Sequence, residues 1–140
     1  MGYSLGELSA STMKDIFDAA FIDCHLDSDG DLVVDDGLKV FIKAEPQQKL
    51  LKIFALTAPS ADRAGLLEFC NRFNDRLIMA RASVADNRTS DGDCVLTFDH
   101  DHFVLEDETI EPKKLVWLVR RFTKIVRDGV AREDVDDLFD

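Results

Sequence analysis

Asp36-Gly37 sits between two apolar runs, and this dipeptide constrains the fold more than any other feature of the chain. Asp-Gly tolerates the positive φ angles of a tight hairpin. The flanking segments read as strands: Leu32-Val-Val before it, then Leu38, Val40 and Ile42 alternating with Lys39, Phe41 and Lys43. A period of two on either side of such a turn commits the region to antiparallel pairing. Glu45-Pro46-Gln-Gln breaks the run, and Leu50 to Thr57 predicts a third strand with apolar residues on both faces.

Helical spacing brackets these strands. Ser11 is the expected cap of a first helix whose apolar positions are Met13, Ile16, Phe17 and Ala20. Pro59-Ser60 is the expected opening of a second, with Leu66, Phe69, Cys70 and Phe73 on one stripe and Asn74 as its stop. Leu77 to Val84 predicts a fourth strand and Cys94, Leu96 and Phe98 a fifth, separated by a polar loop. Pro112 and Glu111 suit the start of a third helix, buried through Leu115, Leu118, Val119, Phe122 and Val126 and stopped by Gly129. The order is α-β-β-β-α-β-β-α, an α+β domain with an antiparallel sheet packed by helices. Residues 1–140 read as a single domain with an acidic tail over 130–140, where Val135, Leu138 and Phe139 allow a short docked helix. Ser28-Asp-Gly-Asp-Leu-Val-Val returns as Ser90-Asp-Gly-Asp-Cys-Val-Leu, two uses of one turn-into-strand solution.

Charge narrows the function. Twenty-eight acids against 17 bases leave a net charge of −11. Such a chain repels phosphate backbones and anionic membrane surfaces, so neither nucleic acid nor membrane is an expected partner. The N-terminus lacks the pattern of a secretory signal, and no apolar run nears the ~20 residues of a membrane span. Cys24, Cys70 and Cys94 are isolated, which fits reduced thiols in a cytoplasmic protein better than a disulfide framework or a zinc site.

Two clusters invite a metal. Asp27, Asp29 and Asp31 resemble a calcium loop, but no register gives an oxygen ligand at position 1, Gly at 6 and an acid at 12 together. Asp99-His100-Asp101-His102 has metal-type side chains. In an extended segment Asp99 and Asp101 take one face and His100 and His102 the other. A metal-binding or metal-sensing domain using these four residues is the alternative reading. No cofactor is expected. Catalysis finds no support either: there is no nucleophile elbow, P-loop or dinucleotide fingerprint, and a non-enzymatic role follows.

The third helix carries the clearest surface signal. From Glu111 to Arg127 it holds six bases and one acid, so this segment is +5 and the remainder −16. At 100° per residue, Lys113, Trp117, Arg120, Lys124 and Arg127 share the face opposite the apolar stripe. Tryptophan and arginine are common interface anchors, so Trp117, Arg120, Lys124 and Arg127 are the candidate partner-binding residues.

The runs Asp29-Gly-Asp-Leu-Val-Val, Asn71-Arg-Phe-Asn74 and Asp91-Gly-Asp-Cys-Val-Leu, followed by Phe103-Val-Leu and Leu115-Val-Trp, resemble the YbjN family from about Phe17 to Val126. That family is labelled a "putative bacterial sensory-transduction regulator". The resemblance implies a fold similar to the type III secretion chaperones, a protein client, a homodimer and no catalytic residues.

Overall fold

Ser9, not Ser11, caps the first helix: its hydroxyl accepts the Thr12 N–H at 3.2 Å. Helix α1 then spans Ala10–Ala19 and buries Met13, Ile16 and Phe17. It ends in a paired-hydrogen-bond turn, with Phe21 N–H donating to Asp18 O (3.0 Å) and Ile22 N–H to Phe17 O (3.1 Å). This turn needs a left-handed residue after the cap, usually glycine. Here Phe21 fills it at φ 60°, a conformation that disfavours a side chain by roughly 1–2 kcal/mol. The computed structural model describes residues 2–58, 60–77, 79–86 and 92–134.

Four strands follow α1 rather than three. The extra one is β1 (Cys24–Leu26), which pairs antiparallel with β2 (Leu32–Asp35). Three residues are too short to show a period. What creates the strand is the turn after it, where Asp27 Oδ1 accepts the N–H groups of Asp29 and Asp31, both at 2.9 Å, and Gly30 takes φ 81°. A hairpin forms at Asp36-Gly37 and joins β2 to β3 (Lys39–Glu45), but through three residues, Asp36 to Leu38, rather than a two-residue turn: Asp35 pairs with Lys39, and Gly37 alone takes a positive φ, 85°. A 3-10 turn at Pro46–Gln48 leads to β4 (Leu50–Leu56).

Helix α2 spans Arg63–Arg76 and is capped by Asp62, whose carboxylate accepts Gly65 N–H at 3.0 Å. Ser60, the expected helix opening, instead exchanges two backbone hydrogen bonds with Cys94. Asn74 does not stop the helix, so β5 starts later than expected and spans Arg81–Asp86. β6 covers Cys94–Phe103 and includes the whole Asp99–His102 segment. Helix α3 spans Pro112–Glu133, running past Gly129. Gly129 is a contact point within the helix: a Cβ there would overlap the Phe73 ring and the Leu77 side chain. The tail residues 135–140 and most of the loop between β5 and β6 lie outside the described residues.

The α+β class with an antiparallel sheet is what the structure has. Six strands run in the order β1-β2-β3-β4-β6-β5, every neighbour antiparallel. One face of the sheet joins the helices in a single core, with Val40, Ile42, Ile53, Leu96 and Phe98 meeting Phe17, Phe69, Phe73 and Phe122. Phe73 and Phe98 pack at 5.0 Å between ring centroids, and Phe69 stands edge-on to Phe98 at 6.1 Å. The other face carries Phe41, Lys43, Lys52, Phe54, Thr97 and Asp99, and among the described residues no helix covers it.

Candidate interaction surfaces

The basic face of α3 is exposed as the helical spacing requires. Lys113, Trp117, Arg120, Lys124 and Arg127 are all exposed, and Trp117 keeps 52% of its surface in solvent. The ammonium of Lys114 lies 5.5 Å from the centre of its ring, within cation–π range. A shallow cleft of about 330 Å³ runs beside it, lined by Lys113, Val116, Trp117, Arg120, Arg121 and Lys124, with no acid among them. Over its full length α3 has seven bases and two acids, again net +5.

Three of the four candidate residues have neighbours within the chain. Arg120 reaches Asp36 at the hairpin tip, Nε to Oδ2 3.7 Å, and Lys124 pairs with Asp128 one turn on at 2.8 Å. Lys124 holds the Asp128 carboxyl below its ordinary pKa. Arg127 lies over the hairpin tip, where a Cβ on Gly37 would sit 2.7 Å from Nη1. Gly37 is required for its positive φ, whereas the exposed Arg127 guanidinium could swing aside from a Cβ. Both ion pairs are between exposed groups, which contribute little and exchange readily for another anion. Among the described residues, the one cation over the Trp117 ring is Lys114.

The open sheet face holds a second cleft, of about 400 Å³. Phe41 and Phe54 are cross-strand partners stacked at 5.0 Å with ring planes 8° apart. Lys43, Lys52, Glu45 and Asp99 surround them, a mixture of both signs. Apolar residues on both faces of β4 were the sequence signal for this surface.

The histidine segment divides as a strand must. Asp99 and Asp101 lie on the open face, and Arg81 grips Asp99 with Nε to Oδ1 at 3.3 Å and Nη2 to Oδ2 at 3.1 Å. His100 and His102 lie on the helix side with ring centroids 6.1 Å apart. Burial lowers the pKa of both; for His102 the nearby Lys114 adds to it. The two carboxylates cannot join the two imidazoles around one ion. Among the described residues no three His, Cys, Asp or Glu side chains converge as a metal site. The Asp27 carboxylate is likewise spent closing its own turn.

The cysteines are free thiols. Burial, then its hydrogen bond to Asp18, pushes the Cys24 pKa up to about 11, and burial raises that of Cys70. Neither forms a thiolate near neutral pH, so neither is an activated nucleophile. Among the described residues no helix is long and apolar enough to cross a membrane.

Comparison with curated proteins gives no significant match. In three dimensions the chain is similar to the crystal structure of YbjN from E. coli, described as "a putative transcription regulator", with a TM-score of 0.72 at 12% identity. The superposition covers 92% of this chain and 93% of that one, and shows a shared fold. The sequence also matches, over residues 9–132, the family described as "Putative bacterial sensory transduction regulator". With all but its ends covered by that match, the chain belongs to the YbjN family.

Proposed function

We propose that this chain is a non-enzymatic regulatory domain of the bacterial cytosol that binds another protein, and that the Trp117 face of α3 takes an acidic segment of that partner. One observation carries this reading: a half-exposed tryptophan in a cleft whose charged lining is entirely cationic. An indole gives a large rigid contact, and the surrounding bases give sign selectivity. The family's description as a regulator supports the reading. A short acidic segment fits the +5 face, whereas a nucleic acid would run off it onto a remainder of −16. Self-pairing about a twofold axis through this face would set bases against bases, so a homodimer would use another surface.

Trp117 is the only tryptophan, so its fluorescence reports on the face directly. Titration with a synthetic peptide of aspartates around one leucine is expected to give a saturable, salt-sensitive blue shift. Arg121→Glu with Lys124→Glu should weaken that binding about tenfold or more. An unchanged spectrum, together with no heat of binding by calorimetry, would sink the proposal.

A further inference from the structure

Phe21 is the most exposed large apolar residue described, at 97%, and it occupies a backbone position that favours glycine. Neither fact helps the isolated domain. The ring gains no burial, and the left-handed φ of 60° is disfavoured for any side chain. Strain kept at an exposed position points to a role in contact with something else.

The neighbouring structure supplies the rest of a site. Three residues on, β1 forms one edge of the sheet. Asp35 N–H donates to Asp23 O at 2.8 Å and Asp27 N–H to Asp31 O at 2.9 Å. By the alternation of an antiparallel ladder, residues 23, 25 and 27 therefore bond β2, and the N–H and C=O groups of Cys24 and Leu26 point outward. Leu26 is 40% exposed. Asp23 and Asp27 flank the strand in sequence, and Asp29 and Asp31 lie in the turn that follows it.

We infer that the β1 edge with Phe21 is a docking site for an extended segment of a partner protein, apolar in its centre and flanked by Lys or Arg. The segment adds as a further strand, bonding Cys24 and Leu26, and Phe21 packs on its side chains. The acids select the basic flanks. They also disfavour a second copy of this chain, because antiparallel self-pairing centred on His25 sets Asp23 against Asp27 at both ends. This site is separate from the Trp117 face and does not depend on it.

The test uses a fluorescent synthetic peptide of alternating valine and threonine with two lysines at each end, added to the full chain. Anisotropy should show saturable binding, and amide NMR shifts should gather at Phe21 and Cys24–Leu26. Phe21→Gly should weaken binding about tenfold while raising the melting temperature, because it removes both the anchor and the strain. Glutamate in place of the lysines, or N-methylation of alternate peptide amides, should abolish binding, and Trp117→Ala should leave it intact. The inference fails if the peptide does not bind, if Phe21→Gly binds it like the parent, or if the shifts map to α3. It also fails if sedimentation finds a dimer that Phe21→Gly dissociates, for then the occupant is a second copy.

Discussion

The two edges of the sheet are finished in opposite ways. At β5, Asn74 of α2 lays its amide against the strand: Nδ2 donates to Ala82 O at 2.9 Å, and Ala82 N–H donates to Oδ1 at 2.8 Å. One side chain thereby occupies both outward-facing backbone groups of Ala82, near the start of that edge. At β1, among the described residues, no side chain bonds the outward backbone groups of Cys24 or Leu26, and a phenylalanine in a left-handed conformation lies three residues before the strand. The same sheet therefore shows that an edge can be closed cheaply, with one helical asparagine. Leaving the other edge open is a property of this chain and not a limit of the fold.

The contrast can be broken from the β5 side first. α2 is held at that edge by its contact with α3 at Gly129, so Gly129→Val should force Phe73 and Leu77 apart. We expect a loss of about 2–3 kcal/mol in urea unfolding, the largest effect here. Asn74→Ala removes the plug and leaves Ala82 unpaired. A loss of about 2 kcal/mol is expected, with concentration-dependent light scattering as the opened edge finds partners. Phe21→Gly should act in the other direction, stabilising by about 1 kcal/mol through release of the left-handed strain.

The smallest effect is one of pH. Burial depresses the pKa of His100 and His102 from 6.5 in the folded protein. The unfolded chain then binds more protons in mild acid, so stability should be full above about pH 6.5 and decline as pH falls below it. Replacing both with asparagine should flatten the melting temperature between pH 7.5 and 5.5. A slope that survives the double replacement would assign the effect elsewhere.

Elements with a long repeating pattern were readable in the sequence: the stripes of α2 and α3, the period of β3 and β6, and the Asp36-Gly37 turn. Two of the misreadings share one cause, which is that a distant contact overrode a local signal. Gly129 reads as a helix stop but packs against α2, and Asn74 reads as a stop but reaches across to β5. Phe21 has no signal at all, because nothing in Ala19-Ala20-Phe21 marks a left-handed residue. The same holds at the surfaces. Helical spacing predicts that Trp117, Arg120, Lys124 and Arg127 share a face, and strand spacing divides the histidines from the aspartates. That Arg120 meets Asp36, or that Arg81 takes Asp99, depends on which elements the fold brings together.

The strand order also bears on how the molecule assembles. β1 to β4 form a meander in which each strand pairs with the next in sequence, across connections of a few residues. β4 must then find β6 with α2 and β5 lying between them in the chain. Loop closure disfavours the second step far more than the first. The meander should therefore gain its hydrogen bonds early, and the pairing of β4 with β6 should mark the barrier. Mutations at Ile53 and His100, cross-strand partners in that pair, would then slow refolding, while those in the β1–β2 turn would mainly speed unfolding.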